Sequence, residues 1–324
     1  MGMLPPRDKI TIGFAHVAYN CKARLDARNL GFRTLEARTR AELDAMLPEL
    51  DVLSLSGMWR NDIPPLAPKL RYVQSMSAGT DQYDRAIMKA AGISLASAAG
   101  ANAKAVSEHA ISLMLAMTRR LPEARDNQHK KFWRGMQSDF WTREDELAGK
   151  TLIVVGMGRI GGRLIRLAKA FEMHVIGVRA NPAAGAEGAD EVFGMDALPA
   201  ILPRADMVVL VCPLTPETTG LMNATTLAAM KPSAYLINCA RGKVCDEAEL
   251  IAALVSGKIK GAALDVTATE PLPETSPLWT LPNVFITPHT GGETCVYEDN
   301  VLDLLVANLE RVWAGESTLI NQIV

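Results

Sequence analysis

Thr151-Leu-Ile-Val-Val155 runs directly into Gly156-Met-Gly158-Arg-Ile-Gly161, and Ile160, Leu164, Leu167 and Phe171 then recur at helical spacing. A strand-length apolar run, a glycine turn and an amphipathic helix form the setting in which an otherwise weak G-x-G-x-x-G pattern carries meaning. Gly156 permits the tight turn, Gly158 lets backbone approach a pyrophosphate, and Gly161 lets helix and strand pack closely. Amides at the helix N-terminus then meet the phosphate charge. Gly156, Met157, Gly158, Arg159, Ile160 and Gly161 are therefore candidate contacts to a dinucleotide.

The end of the next strand bears on which dinucleotide. Sites selective for NAD usually carry an acidic residue there, about 20 residues on, for the ribose 2′-hydroxyl. This chain has Val178-Arg179-Ala-Asn-Pro182, and the first acid after it is Glu187. A guanidinium suits a 2′-phosphate. NADP(H) is favoured on that ground, with NAD(H) still possible; the plainer reading of Arg179 stacks it on the adenine face.

Outward from this turn, strand-like and helix-like runs alternate along most of the chain. Short strands are expected at 10–14, 34–37, 52–55, 72–75 and 93–96, with helices such as 41–47 and 84–91 between them. A longer apolar helix is expected over 102–120, with Val106, Ala110, Leu113 and Met117 at helical spacing. An irregular stretch follows with Trp133 and Trp141, which reads equally as an oligomer arm or as packing on its own domain. Further strands are expected at 152–155, 174–178, 207–211, 234–237, 261–264 and 284–286, and a last helix over 293–314. The pattern predicts α/β architecture with two parallel-sheet domains, Rossmann-like and flavodoxin-like, and a cleft between them.

Composition narrows the function classes. The 324 residues carry 34 Lys and Arg against 36 Asp and Glu, for a formal charge of −2. That balance gives no electrostatic reason to expect nucleic acid, and Lys130-Lys131 with Arg134 reads as a solvated helix face. The length suggests two domains, for which 48% hydrophobic content is ample. No apolar stretch approaches the roughly 18–20 residues that span a bilayer, so no membrane partner is expected. Met1-Gly-Met-Leu-Pro-Pro-Arg-Asp8 lacks a signal-peptide core. Cysteines at 21, 212, 239, 245 and 295 are odd in number and include no C-x-x-C pair. They predict no disulfide framework and no structural metal, and they fit a reducing cytoplasm.

Three strings in the last third carry the chemistry: Asn238-Cys-Ala-Arg-Gly242, Asp265-Val-Thr-Ala-Thr-Glu-Pro-Leu272 and Thr287-Pro-His-Thr-Gly-Gly292. Each follows an apolar run of strand length, and side chains just past the strand ends of an open parallel sheet gather where ligands bind. Arg241 offers a fork for a carboxylate, His289 a proton, and Glu270 a carboxylate to tune the imidazole. His289 stands apart from His16, His109, His129 and His174, which read as structural, because it sits between Pro288 and Gly291-Gly292 at a strand end.

With these strings in place, and with Gln74-Ser-Met-Ser-Ala-Gly-Thr-Asp81, Ala105-Val-Ser-Glu-His-Ala110, Glu146-Leu-Ala-Gly-Lys-Thr151 and Cys212-Pro-Leu-Thr-Pro-Glu-Thr218 in the same order, the chain resembles the D-isomer-specific 2-hydroxyacid dehydrogenases nearly end to end. That group includes glyoxylate/hydroxypyruvate reductases and phosphoglycerate dehydrogenases. The resemblance implies reduction of a small 2-oxo acid to the D-2-hydroxy acid, and the reverse. It implies that Arg241 binds the substrate carboxylate, that His289 is the general acid/base and that Glu270 pairs with it. It places Asp265 at the nicotinamide carboxamide and adds Cys212, Pro213, Thr218, Cys239, Ala240 and Gly291 to the cofactor contacts. Ser77, Ala78 and Gly79 match the loop that holds the substrate carboxylate, and Met58 and Trp59 follow a strand in the same region as pocket lining. Domains of 1–99, completed by 289–324, for substrate and of 100–288 for dinucleotide are implied, as is a homodimer.

The departures sharpen this. Thr267 replaces an aromatic residue often found there. Glu270, rather than glutamine, argues against formate dehydrogenase chemistry, and Ala78, rather than lysine, against phosphite dehydrogenase. Met58 and Trp59 favour a non-phosphorylated side chain, whereas Arg60 offers a distal anion contact that would suit a phosphoglycerate dehydrogenase-like activity. No regulatory domain is expected after Val324. A rival of another class, an NAD(H)-sensing binding protein resembling the C-terminal-binding-protein corepressors, keeps the same catalytic residues and is disfavoured by the lack of disordered tails.

Overall fold

Among the described residues, every pair of neighbouring strands is parallel. The computed structural model describes residues 4–324 apart from the Trp141 side chain; Met1 to Met3 and the reading placed on that tryptophan lie outside the described residues. In chain order the elements are β1 (Thr11–Ala15), α1 (Cys21–Ala27), β2 (Arg33–Ala37), α2 (Arg40–Met46), β3 (Val52–Leu55), β4 (Tyr72–Ser75), α3 (Arg85–Ala90) and β5 (Ser94–Ala96). There follow α4 (Ala103–Thr118), α5 (Leu121–His129), β6 (Thr151–Val155), α6 (Arg159–Ala170), β7 (His174–Val178), β8 (Glu191–Phe193), α7 (Leu198–Ile201) and β9 (Met207–Leu210). The last are α8 (Ala224–Ala229), β10 (Tyr235–Asn238), α9 (Glu247–Val255), β11 (Gly261–Leu264), β12 (Val284–Ile286) and α10 (Tyr297–Trp313).

The chain divides into two compact units, one up to Asn102 together with Glu293–Val324, the other Ala103–Gly292. The first holds a five-stranded sheet in the order β2-β1-β3-β4-β5, the flavodoxin-like arrangement. Its two faces are covered by separate apolar clusters, with Leu53, Leu55 and Val73 on one side and Ile12, Phe14, Val52 and Tyr72 on the other. The expected last helix is α10, whose Val301, Leu305 and Leu309 are buried. Asn308 lies in that apolar stripe without cost in unmet polarity: its amide donates to Tyr72 Oη and Ile320 O and accepts from Ile320 N.

The second unit holds seven strands in the order β12-β11-β10-β9-β6-β7-β8. This is the doubly wound dinucleotide-binding order, with its switch point between β6 and β9. Alternate residues face alternate cores: Ile153, Val155, Val208 and Leu210 bury on one face, and Leu152, Val154, Met207 and Val209 on the other. A parallel strand buried on both faces reads as a continuous apolar run, which is why these strands are visible in the sequence. β8 is not: it is a three-residue edge strand, half-buried throughout and begun by a glutamate. No helix of the described residues is long and apolar enough to cross a membrane.

Candidate active site

The glycine turn after β6 uses each glycine differently. Gly156 has φ +102, and a Cβ there would lie 2.7 Å from the Cys212 backbone. At Gly161 a Cβ would lie 1.9 Å from Gly156 O, so the start of α6 closes onto the turn itself. A Cβ on Gly158 would meet nothing within 4 Å. That open space, at the N-cap of α6, is a cradle a pyrophosphate fits and a side chain would fill. Met157 turns inward instead and is buried. A Cβ on Gly177 of β7 would come 2.3 Å from its sulfur, so that strand glycine makes room for the turn.

These contrasts predict a split result. Gly156→Ala adds strain and a backbone collision and destabilises the fold by about 2–3 kcal/mol, visible as a lower melting temperature without ligand. Gly158→Ala leaves the ligand-free melting temperature unchanged and weakens dinucleotide affinity. Equal melting losses in the two variants would contradict the separation.

Across the switch point, the β9 strand continues to Cys212, which burial pushes up to about 11. Thr218 ties the following loop together, donating to Pro213 O at 2.7 Å and accepting from Thr215 N at 2.8 Å. Its hydroxyl thus shapes the loop next to Pro213. Arg179, after β7, donates to Gly185 O at 2.9 Å and anchors the exposed loop that follows.

Arg241 is aimed by a neighbour for which sequence reasoning names no role. Buried Asn238, the last residue of β10, accepts from Ala240 N at 3.0 Å and donates to Arg241 O at 3.1 Å. This side-chain turn closes the chain on itself and projects Arg241 from the strand end. Gly242 then lies against the next loop, where a Cβ would come 2.0 Å from Thr267 O. The strand-end loops of β10 and β11 are thereby in contact. Cys239, between them, has its thiol pushed up by burial and by the Asp265 charge.

Glu270 is fixed by two donors on opposite oxygens. Thr267 N gives to Oε1 at 3.1 Å, and His289 Nδ1 lies 2.7 Å from Oε2. A carboxylate accepts, so Nδ1–H donates and Nε2 is the nitrogen left for a substrate. Both side chains are substantially exposed, at 46% for His289 and 38% for Glu270. In that setting the pair orients the ring more than it stabilises the fold.

His289 itself has φ +57, a left-handed backbone that costs a non-glycine residue about 1–2 kcal/mol. Asp265 holds it there. His289 N donates to Asp265 O at 2.8 Å, Thr287 Oγ1 to Asp265 Oδ1 at 2.6 Å, and Thr290 N to Oδ1 at 3.0 Å. Gly291 N donates to Oδ2 at 3.1 Å. Burial alone would raise the Asp265 carboxyl; hydrogen bonds from His109 and Thr287, with the charge and amides around them, hold it below the usual carboxylate range. Beside the Glu270–His289 pair lies an apolar cavity of about 450 Å³, walled by Thr267, Leu272, Trp279 and Ile286.

In the first unit, Ser77 is held by Ser56, their hydroxyls 2.6 Å apart, and by Ser75 Oγ. Ala78 and Gly79 are half-buried, and among the described residues neither amide has a partner. Met58 and Trp59, read as pocket lining, are only 5% and 7% exposed and belong to the core of the first unit. Trp59 packs on Tyr83 with ring centroids 5.2 Å apart, and its indole N–H donates to Asn61 Oδ1. Arg60 is paired with Asp44 and Asp62. Among the described residues no group of three or more His, Cys, Asp or Glu side chains could hold a metal ion.

A family model, curated relatives and solved structures match most of the chain. A family model described as the D-isomer specific 2-hydroxyacid dehydrogenase NAD binding domain matches residues 111–291. The D-3-phosphoglycerate dehydrogenase of Mycobacterium bovis is 35% identical over 288 residues, 88% of this chain and 53% of that protein. The chain therefore spans about half the length of the phosphoglycerate dehydrogenases it matches. The glyoxylate/hydroxypyruvate reductase B of Pectobacterium carotovorum is 34% identical over 304 residues, 94% of each chain. The solved NADPH-dependent glyoxylate/hydroxypyruvate reductase of Sinorhizobium meliloti superposes with a TM-score of 0.83 at 27% identity, covering 97% of this chain and 98% of that one.

Proposed function

The chain belongs to the D-isomer specific 2-hydroxyacid dehydrogenase family, and from that premise we propose that it reduces a small, non-phosphorylated 2-oxo acid to the D-2-hydroxy acid, and runs the reverse, with NADP(H) preferred over NAD(H). The observation that carries the reading is the 2.7 Å Glu270–His289 pair standing beside the loop against which the Arg241 turn packs. Arg241 takes the substrate carboxylate in its planar fork and polarises the neighbouring carbonyl. His289 delivers a proton from Nε2 to the carbonyl oxygen and recovers it in the reverse direction. Glu270 accepts from Nδ1, sets the ring plane and stabilises the imidazolium. The first unit is taken as the substrate-binding part, with Ser77 and the backbone amides of Ala78 and Gly79 as carboxylate donors and Met58 and Trp59 as apolar residues of that unit.

The second unit is the dinucleotide-binding part. Gly156, Met157, Gly158, Arg159, Ile160 and Gly161, with Arg179, Cys212, Pro213, Cys239, Ala240, Asp265 and Gly291, would hold the cofactor, and Thr218 acts through Pro213. When bound, the nicotinamide supplies or takes the hydride. Arg179 supports the NADP(H) preference because a guanidinium just past the end of β7 would suit a 2′-phosphate. Removing a hydrogen bond to a charged group costs about 1.5–3 kcal/mol, or roughly 10- to 100-fold. Arg179→Ala is therefore expected to raise KM for NADPH by that factor and KM for NADH by less than about threefold; equal losses would remove the 2′-phosphate assignment.

Arg60 supports a non-phosphorylated substrate, since its guanidinium is engaged by Asp44 and Asp62. Steady-state turnover of glyoxylate, hydroxypyruvate, phenylpyruvate and 3-phosphohydroxypyruvate with each reduced cofactor tests the reading. Preference for the phosphorylated acid would favour a phosphoglycerate dehydrogenase-like activity, and binding of cofactor without turnover would favour a sensor. The same reading has the protein working as a homodimer in the cytoplasm. Exposed Phe132, Trp133, Met136 and Phe140 in the segment after α5 support a second copy as partner, and an odd cysteine count without a C-x-x-C pair fits a reducing compartment.

A further inference from the structure

His109 takes no part in the reaction above, yet it reaches the loop that carries His289. It lies on α4, with Nε2 2.9 Å from Thr287 Oγ1 and 3.3 Å from Asp265 Oδ1. The directions of these hydrogen bonds are forced. The Asp265 carboxylate accepts from the amides of Thr290 and Gly291, groups that only donate. Thr287 gives its hydroxyl proton to Asp265 Oδ1, so Thr287 Oγ1 has only lone pairs to offer His109. His109 Nε2 must therefore carry the proton. Donation runs one way, from His109 to Thr287 to Asp265, and it ends on a carboxylate that is 4% exposed.

The same ring closes the far end of the loop. A Cβ on Gly291 would come 2.9 Å from His109 Cδ2 and 2.7 Å from Asp265 Oδ2, so only a glycine lets the imidazole and the carboxylate approach the backbone together. The segment from Thr287 to Gly291 is thus gripped at both ends, with the left-handed His289 between them.

We propose that His109 is a positioning residue for proton transfer: its Nε2–H fixes the Thr287 hydroxyl, and through Asp265 that contact sets the turn from which the His289 imidazole meets Glu270. This rests on the reading of His289 as the acid/base. Its consequence is kinetic, because a misplacement of about 1 Å at a reacting group costs on the order of 10²-fold in rate.

The test compares His109→Phe, His109→Gln, Thr287→Val and the His109→Phe/Thr287→Val double variant, with His289→Gln as reference. His109→Phe and Thr287→Val are each expected to lower kcat by about 10- to 100-fold, while the Kd for NADPH, read from its fluorescence, moves by less than about threefold. The double variant is no slower than the worse single one, since both break one chain of donors. His109→Gln, whose amide can restore an N–H near Nε2, recovers most of kcat. In the ligand-free wild-type protein, isotope-labelled histidine NMR spectra show His109 as the Nε2–H tautomer, a readout that does not depend on any variant folding. An Nδ1–H tautomer, additive losses in the double variant, or an unchanged kcat in His109→Phe beside an inactive His289→Gln would overturn the proposal and leave the acid/base reading standing. An active His289→Gln would overturn the acid/base reading itself.

Discussion

His289→Gln lowers kcat for 2-oxo acid reduction by about 10³-fold, the middle of the range that a positioned general acid contributes. Its melting temperature and its affinity for NADPH stay near wild type. The separation follows from where the side chain sits. His289 is 46% exposed and its partner is Glu270, so a glutamine amide replaces the lost Nδ1–H donor at little cost to the fold. What glutamine cannot do is release a proton from the position of Nε2. Single-turnover oxidation of bound NADPH, followed by its fluorescence, isolates that step from product release. Retention of kcat within about fivefold would mean that the proton comes from elsewhere, because a lost general acid costs far more than that.

Much of this site was legible because parallel sheets advertise themselves. Val208, Val209 and Leu210 are fully buried on alternating faces, and so they read as one apolar run with candidate site residues just beyond it. Arg241, Glu270 and His289 all follow such runs. What stayed hidden depends on contacts across the sheet. His109 meets Thr287 over 178 residues of sequence, and no periodicity distinguishes it from His174, which pairs at the surface with Glu191. Asn238 stood only as the first residue of the string after a strand, and its role as a turn former appears only once Arg241 O is seen on its amide. Met58 and Trp59 show the opposite difficulty. An apolar pocket wall and an apolar core ask for the same residues, and Trp59 packs on Tyr83 within the core of the first unit.

Arg241→Gln lowers kcat/KM for 2-oxo acids by about 10³-fold, and Arg241→Lys recovers only part of it. Removing one partner of a hydrogen-bonded charge pair costs about 2–5 kcal/mol, or roughly 30- to 5,000-fold. Lysine restores the charge as a point and loses the fork that grips two carboxylate oxygens at once. The geometry makes the fork matter: Asn238 holds the Arg241 carbonyl, and Arg241 Nη1 donates to Ala240 O at 2.8 Å. The guanidinium is therefore presented from a fixed turn, and a flexible ammonium on the same stem has no such anchor. The decisive comparison uses a 2-oxo acid and a matched 2-oxo compound lacking the carboxylate. If Arg241 binds the carboxylate, the wild-type preference for the acid collapses in Arg241→Gln, while the uncharged compound loses only the smaller part due to carbonyl polarisation. Equal losses on both compounds would show that Arg241 supports the fold of the strand-end loops, through Gly242 against Thr267, rather than the substrate.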